Sequence, residues 1–489
     1  MNKKSLAGPS RRNILAWSVA AAALAVTGCS SSSTSSASSA AGKSDTSITG
    51  SVTLFDASVP HAVSIVWNED DYTEMIANYS NESDKSWITA DITIDGTLIK
   101  NVGVRLKGNS TLMSLGGKTF GGGGMAPGGT TDGTMPTDMP TDMAGISPPE
   151  GFDGTMPTDM PTDMANMGGM GGMGDSANIS SDDPASLPLL IRFDKYVDGI
   201  QYEGLTQLAL RPGSPVINEA LALSLTAATD QITQRYAYTT YSVNGSATKT
   251  RLLLENPEET YAEGLLDGNG VLFKADADSK FSYQGDDLAT YEDQFKQLNK
   301  TDDQDAKPIV SFLKWLDEAD DATFDAELAT WVDVDSFAKY TAMQNLLANS
   351  DDMAGPGQNY YLYYDLGTKK FTVISWDLNS ALSGNATASP DESMSMGGGK
   401  GGAAGGLGGN TLKTRFLASE TFKKLYKSAY QALYTTVFTD GKGTSLLTTI
   451  TASIPVSDDL TQDAVKEKSA TLTTFLNQRG EALKKALAS

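Results

Sequence analysis

Cysteine and histidine are nearly missing, Cys29 and His61 being the only examples in 489 residues. A single cysteine excludes a disulfide framework within the chain. A single histidine excludes a His-rich zinc site, and a Ser-His-Asp triad or a histidine base would have to rest on His61, which sits in the extended apolar context VPHAVSIVW and reads as structural. Any chemistry here is carboxylate chemistry. Positive charge is also short, with 37 Lys and Arg against 60 Asp and Glu and a formal charge of −23. Between Thr119 and Ile191 there is no Lys or Arg at all, while ten acids contribute −10 of that total. Such a surface repels phosphate backbones, which argues against nucleic-acid partners and against broad contact with an anionic membrane. It leaves a nucleotide site open, because a bound divalent cation reverses the local sign.

Long apolar runs are missing too. The stretch from Ile14 to Val26 is short of the ~20 residues a spanning helix needs. With a basic head before it and small residues after it, this segment reads as a signal peptide. Val26-Thr27-Gly28-Cys29 resembles the lipobox of bacterial lipoproteins, which makes Cys29 the expected lipidated residue. Ser10-Arg11-Arg12-Asn13-Ile14-Leu15 resembles a twin-arginine export motif with Ile in place of the usual Phe. Residues 1–28 are therefore expected to be a signal and 29–47 a Ser-rich tether, with the mature protein anchored by acyl chains on the extracytoplasmic face of the cell membrane.

The folding signals begin at Ile48. SVTLFDAS, HAVSIVW, WITADITIDG and NVGVRLKGN alternate at period two and are read as strands, with a turn at Asp95-Gly96. DYTEMIANYS between them has helical spacing, with Asp70 or Asp71 as the expected cap. The segment 48–118 is thus a β-rich N-terminal part. Residues 119–186 contain GTMPTDMPTDMAG, which recurs as GTMPTDMPTDMAN at a 21-residue offset, and ten of the 17 methionines, a composition expected to be disordered. A soft-metal tract of thioethers is the functional alternative for this insert, although no His or Cys lies nearby. A Gly/Met loop at 385–409 is expected to behave like the insert. Order resumes at 187 and runs to 489, with two strands in PLLIRFDKYVDGIQYEGLTQLAL, a helix in INEALALSLTAAT and a hairpin at Asn244-Gly245. GNGVLFKADADS continues the strand pattern, and the four segments from EDQFKQLN to VDSFAKYTAMQNLLAN read as helices. The hairpin YYLYYD–FTVISW and a mostly helical tail complete an α+β layout, β-rich first and helical second, in two lobes.

The candidate chemistry lies around that last hairpin, where Asp351, Asn359 and Asp377 follow one another on a helix end, a loop and a strand end. Phosphoryl transfer needs one carboxylate to orient or deprotonate an acceptor and further oxygen ligands to hold magnesium against the phosphates. Protein kinases supply these in the chain order Asp, Asn, strand pair, Asp. Taken alone, Asp and Asn at loop ends are commonly caps and turn formers.

Four blocks carry a resemblance. Val104-Arg105-Leu106-Lys107-Gly108-Asn109-Ser110-Thr111, Ile191-Arg192-Phe193-Asp194-Lys195-Tyr196, Leu252-Leu253-Leu254-Glu255 and Asn349-x-Asp351…Asn359-Tyr360-Tyr361-Leu362-Tyr363…Trp376-Asp377-Leu378-Asn379 resemble, in order, the motifs of the CotH family. These are atypical protein kinases named for a spore-coat protein, and the likeness extends from about Ser51 to Arg479. It implies an atypical protein-kinase-like fold with ATP and Mg2+ (or Mn2+) as cofactors. Asp351 is the implied catalytic carboxylate, with Asp352 as the fallback if the helix end is shifted, and Asp377 and Asn359 are the implied metal ligands. Lys107 and Asn109 are placed near the nucleotide phosphates, on a tight loop that Gly108 permits. Glu219 is expected to pair with Arg192, or second with Lys195, while Glu255 and Lys274 become walls of the nucleotide pocket. The aromatic residues of NYYLYYD read as packing, with stacking on adenine as a minor alternative. Two departures stand out. Of the basic pair that usually follows the GNST block only Lys118 remains before the insert, and the insert falls where a phosphate-covering loop would continue. The expected activity is transfer of the γ-phosphoryl group to Ser or Thr of cell-envelope proteins; the alternative is a non-catalytic kinase-like scaffold or an adhesion or coat component.

Overall fold

The computed structural model describes residues 46–56, 58–108, 111–112, 115, 179–392 and 410–488. The expected lipidation site Cys29, the phosphate-loop candidate Asn109, the repeated Met/Pro/Asp element and the Gly/Met tract from 393 to 409 lie outside the described residues.

The described residues form thirteen strands: β1 (Thr46–Ile48), β2 (His61–Trp67), β3 (Ile88–Ile94), β4 (Thr97–Leu106), β5 (Leu189–Arg192), β6 (Ile200–Tyr202), β7 (Gln207–Leu210), β8 (Tyr236–Val243), β9 (Lys249–Glu255), β10 (Gly270–Ala275), β11 (Phe295–Gln297), β12 (Tyr360–Asp365) and β13 (Phe371–Ser375). Seven of them close into a barrel in the order β2-β3-β4-β5-β7-β9-β8, so strands from before and after the insert share one hydrogen-bonded wall. The two flanks of the insert thus belong to one folding unit. Period-two alternation decides which residues fill the barrel: on β2, Val63, Ile65 and Trp67 are buried while Ala62 and Val66 are exposed. At Asp95-Gly96 both residues have positive φ, 49° and 83°, which a two-residue hairpin of matching twist requires.

Three local expectations fail for identifiable reasons. The described residues of SVTLFDAS form bends and turns rather than a strand, and Glu203 takes the Leu54 N–H in place of a neighbouring strand (2.9 Å). The helix Glu69–Glu82 is capped by Asn68, not by Asp70 or Asp71, whose N–H groups both donate to its side chain. EDQFKQLN (292–299) is not a helix: only Glu292 is helical, as the last residue of the turn Ala289–Glu292, and the segment then contributes β11, because the edge of β10 offers Phe295 a buried place.

The folded part also reaches into both segments expected to be disordered. Residues 179–186 fold against the barrel: Tyr72 donates to the Ser181 carbonyl (2.7 Å), and a 3-10 turn spans Pro184–Ser186. The reason is Arg251, fully buried on β9, whose guanidinium donates to the carbonyls of Ala185 and Leu187 (2.7 Å each). A buried cation needs those acceptors, and the chain supplies them there. Residues 385–392 are likewise packed, with Ala388 buried.

A second sheet, β11-β10-β12-β13, stands beside the barrel. Both faces of β12 are covered. Tyr360 and Leu362 enter the main core, while Tyr361 and Tyr363 pack with Trp376 and Tyr261, which is the packing role expected of this aromatic run. Helices complete the main core, among them Ile217–Ala228, Lys307–Glu318, Asp321–Trp331, Val334–Leu346, Glu420–Tyr434 and Gln462–Leu487. The architecture is α+β. No helix among the described residues is long and apolar enough to cross a membrane.

Candidate active site

The helix Val334–Leu346 ends five residues before Asp351, so this residue sits on a loop rather than on the helix end itself. That loop is tied from below. Asn349 donates to the Gln344 side chain (2.7 Å), which donates in turn to Ser375 at the end of β13 (2.8 Å). The loop then turns back over the Asp351 carboxylate. The Gly357 N–H donates to Oδ1 (2.6 Å) and the Asn359 amide donates to Oδ2 (2.9 Å). Glycine is needed for this approach. A Cβ on Gly355 would lie 2.4 Å from the Asp351 Cα, and one on Gly357 would lie 2.6 Å from Oδ2. Gly357→Ala should therefore displace the carboxylate and lower turnover about 10²-fold with little change in melting temperature. Full activity in that variant would show that the loop does not set the position of Asp351.

Asp377 follows β13 and adopts a left-handed conformation (φ 52°, ψ 62°), which for a residue other than glycine costs about 1–3 kcal/mol and persists only where the surroundings impose it. Ala348, Gln358 and Leu382, all from the segments around it, also have positive φ. Arg211 directly follows β7 and donates from Nε and Nη2 to both oxygens of the fully buried Glu219 (2.7 and 2.5 Å), while the same Nη2 also donates to Asp377. Burial opposes the Arg211 charge, but Asp377 and Glu219 more than offset it and raise its pKa.

Two lysines complete the group. Lys107, one residue past β4, and Lys274, on β10, place their ammonium groups 5.1 and 5.2 Å from the centre of the Trp376 ring. Among the described residues neither forms an ion pair. Burial, and then the charges of Lys274 and Arg211, push Lys107 down to about 7. Burial also lowers Lys274, with Asp377 and Asp276 opposing. Asp351 is raised above the ordinary carboxylate value, by burial first, with the Gly357 N–H opposing and the charges of Asp377 and Asp352 adding to it. The carboxylates of 351 and 377 are therefore near enough to repel one another.

Of the residues singled out in the sequence, Lys107, Glu219, Lys274, Asp351, Asn359 and Asp377 converge on this region. The expected partner of Glu219 is corrected: Arg192 is held by Asp194 (2.6 Å) on the outer face of β5, and Arg211 makes the pair. Lys195 is not that partner either, since it lies over Trp87. Glu255 holds Arg235 (2.8 Å) at the end of β9. Asp352 is buried in an ion pair with Lys413, a structural engagement that leaves Asp351 as the available carboxylate. Arg211, Trp376 and the two loop glycines were missed. The signal for Arg211 was its place immediately after a strand and eight residues before Glu219, the distance a strand-to-helix turn needs to bring the two together.

The model of one protein family, CotH kinase protein, matches residues 180–485. The chain belongs to the CotH kinase family. Among solved structures, a Shewanella oneidensis MR-1 HipA–HipB toxin–antitoxin complex with its operator DNA is similar at 10% identity and a TM-score of 0.31, over 58% of this chain. The match spans about 60% of that chain, and at this TM-score the likeness carries no argument. Curated proteins yield no match.

CotH membership raises the question of whether these residues fit a divalent cation. Among the described residues no group of three or more His, Cys, Asp or Glu converges, so an all-protein cage is absent there. Magnesium asks for less: one or two carboxylates, with waters and substrate phosphates filling the octahedron. Two mutually repelling carboxylates beside an amide, with two lysines that feel the Asp377 charge and form no ion pair among the described residues, fit that pattern. Asp377 and the amide oxygen of Asn359 would hold the ion.

Proposed function

We propose that this protein is a lipid-anchored, extracytoplasmic CotH kinase that transfers the γ-phosphoryl group of ATP to Ser or Thr hydroxyls of cell-envelope proteins. In this reading the barrel with Lys107 and the sheet-and-helix part with Asp351 and Asp377 form two lobes facing a shared cleft. One observation carries it: Asp377 feels the charges of Lys107 and Lys274, which have no ion partner among the described residues, and also that of the Asp351 carboxylate clamped by the Gly357 N–H and Asn359. Phosphoryl transfer is mostly positioning and charge stabilisation. Asp351, with its raised pKa, accepts the acceptor hydroxyl proton as the new O–P bond forms and the bond to the β-phosphate oxygen breaks. Lys107 and Lys274 hold the phosphate charge, and Glu219 fixes Arg211, which fixes Asp377. A bound Mg2+ would neutralise charge developing on the phosphates. Purified residues 48–489 incubated with γ-labelled ATP, Mg2+ or Mn2+ and envelope extract should label protein acceptors; no labelling with either metal would overturn the proposal.

Lys107 gives this reading a pH signature. Its folded pKa of about 7 lies below the unfolded value near 10.5, so the unfolded state binds more protons between these limits and stability from this group rises with pH there. Nucleotide binding has the opposite sign: phosphate favours the ammonium form, so binding above pH 7 takes up a proton. Calorimetric titration at pH 8 in buffers of different ionisation enthalpy should show uptake in the wild type that Lys107→Met removes. Identical heats in all buffers would place the phosphates away from Lys107.

One contact favours a second reading, a non-catalytic scaffold: Arg211 already neutralises Asp377. Calorimetry with ATP and magnesium separates the two, since a scaffold shows no metal-dependent binding.

A further inference from the structure

On β4, Val104 and Leu106 point into the barrel and are fully buried, so Gly103, Arg105 and Lys107 face outward in a row. The Arg105 guanidinium carbon lies 4.7 Å from the centre of the Trp87 ring, and the Lys195 ammonium 5.5 Å from the same ring. Gly103 is the floor beneath them. A Cβ there would come within 2.6 Å of the Lys195 side chain and 3.0 Å of Trp87, so the missing side chain is what lets this layer lie flat on the strand. Arg192, opposite Gly103 on β5, is held by Asp194. Arg105 has no such relief. Among the described residues it forms no ion pair, and its buried Nε has no hydrogen-bond partner. Burial and then the charge of Arg192 lower its pKa, with Asp84 opposing.

An aromatic-backed cation row thus runs from Trp87 to Trp376, in a chain whose net charge is −23. Lys107 and Lys274 are absorbed by the phosphates in the kinase reading. Arg105 and Lys195 are not, and Arg105, repelled by Arg192 and countered only by Asp84, is left for a ligand to neutralise. We propose that Trp87, Arg105 and Lys195 form an acceptor subsite for an Asp or Glu side chain, so that the kinase selects hydroxyls in acidic segments. This rests on the kinase reading for its neighbour, the phosphate site. The planar guanidinium fork matches a carboxylate in two-point contact, and the indole beneath restricts its orientation. Residues 105 and 107 are two positions apart on one strand face, about 7 Å. About two residues of an extended peptide span that separation, so an acid held at Arg105 lies that far from the phosphates at Lys107.

The test uses a fluorescein-labelled peptide, Ala-Asp-Asp-Thr-Asp-Asp-Ala, and its counterpart with Asn for every Asp, on the mature chain. Anisotropy at low salt should show the acidic peptide binding at least about tenfold more tightly, with the preference fading in 0.5 M NaCl. Arg105→Gln should remove most of the preference and raise KM for the acidic peptide about tenfold, with affinity for magnesium-ATP unchanged. Arg105→Lys should restore part of it. Retained discrimination in Arg105→Gln would overturn the subsite. An equal loss of magnesium-ATP affinity would also overturn it, by assigning the row to the nucleotide. Anisotropy reads the subsite without phosphoryl transfer. A protein that binds the acidic peptide through Arg105 but transfers nothing therefore sinks the kinase reading and keeps the subsite.

Discussion

Asp351→Asn and Asp377→Asn should each lower phosphoryl transfer by at least about 10³-fold while leaving the fold intact, and the two should fail differently. Asn at 351 keeps the shape and one oxygen for the Gly357 N–H, but it cannot take a proton from the acceptor hydroxyl. Nucleotide affinity should survive, so the loss appears in kcat. Asn at 377 weakens the hold on the divalent ion, so metal-dependent ATP binding should fall along with turnover. Stability should change little in either variant. Arg211 retains two bonds to Glu219 when Asp377 is neutralised, and removing charge at 351 or 377 relieves the repulsion between them. Labelled-phosphate transfer, calorimetry and thermal melts on the three proteins make the comparison. Labelling by both variants at the wild-type rate would exclude this site altogether.

The largest loss of stability is expected far from the carboxylates. Arg479→Met should cost about 3–5 kcal/mol and lower the melting temperature by roughly 10 °C. Arg479 is fully buried on the helix Gln462–Leu487, and burial lowers its pKa. Its guanidinium donates to the carbonyls of Asn345 (2.7 Å) and Leu346 (3.2 Å), to the Asn345 side chain (2.9 Å), and to Ala386 (3.4 Å) and Ala388. These are the last carbonyls of the helix Val334–Leu346, the negative end of its dipole, joined to the loop that follows Asp377. Methionine fills much of the volume but leaves these acceptors buried and unpaired, at about 1–3 kcal/mol for each that finds no water. Because the same helix end opens the loop carrying Asp351, activity measured well below the melting point should fall as well. A melting temperature within about 2 °C of the wild type would show that solvent reaches these carbonyls and that Arg479 is not the tie.

Much of the chain could be read locally because its signals are local. HAVSIVW carries its burial pattern in its own alternation, and Asp95-Gly96 and Asn244-Gly245 specify hairpins through positive φ that few other residues adopt cheaply. The errors fall where a neighbour decides. FKQ became a strand because β10 offered an edge. SVTLFDAS did not, because Glu203 took its backbone donor. The ends of both low-complexity segments fold because Arg251 and Arg479, distant in sequence, need carbonyl acceptors in buried places.

The candidate site divides in the same way. Asp351, Asn359 and Asp377 stood out in chain order, and an ordered set of motifs pointed to the family, since residue type and spacing survive in one dimension. The pairing of Glu219 did not. A salt bridge depends on which strand end lies beside the helix, and Arg192 and Arg211 differ in that respect only once β5, β7 and the helix Ile217–Ala228 are packed. The cation row along β4 is legible only in part. Arg105 and Lys107 share a face by strand alternation, but Trp87, Lys195 and Trp376 reach that face through barrel closure and sheet packing, which bring together atoms that no local pattern relates.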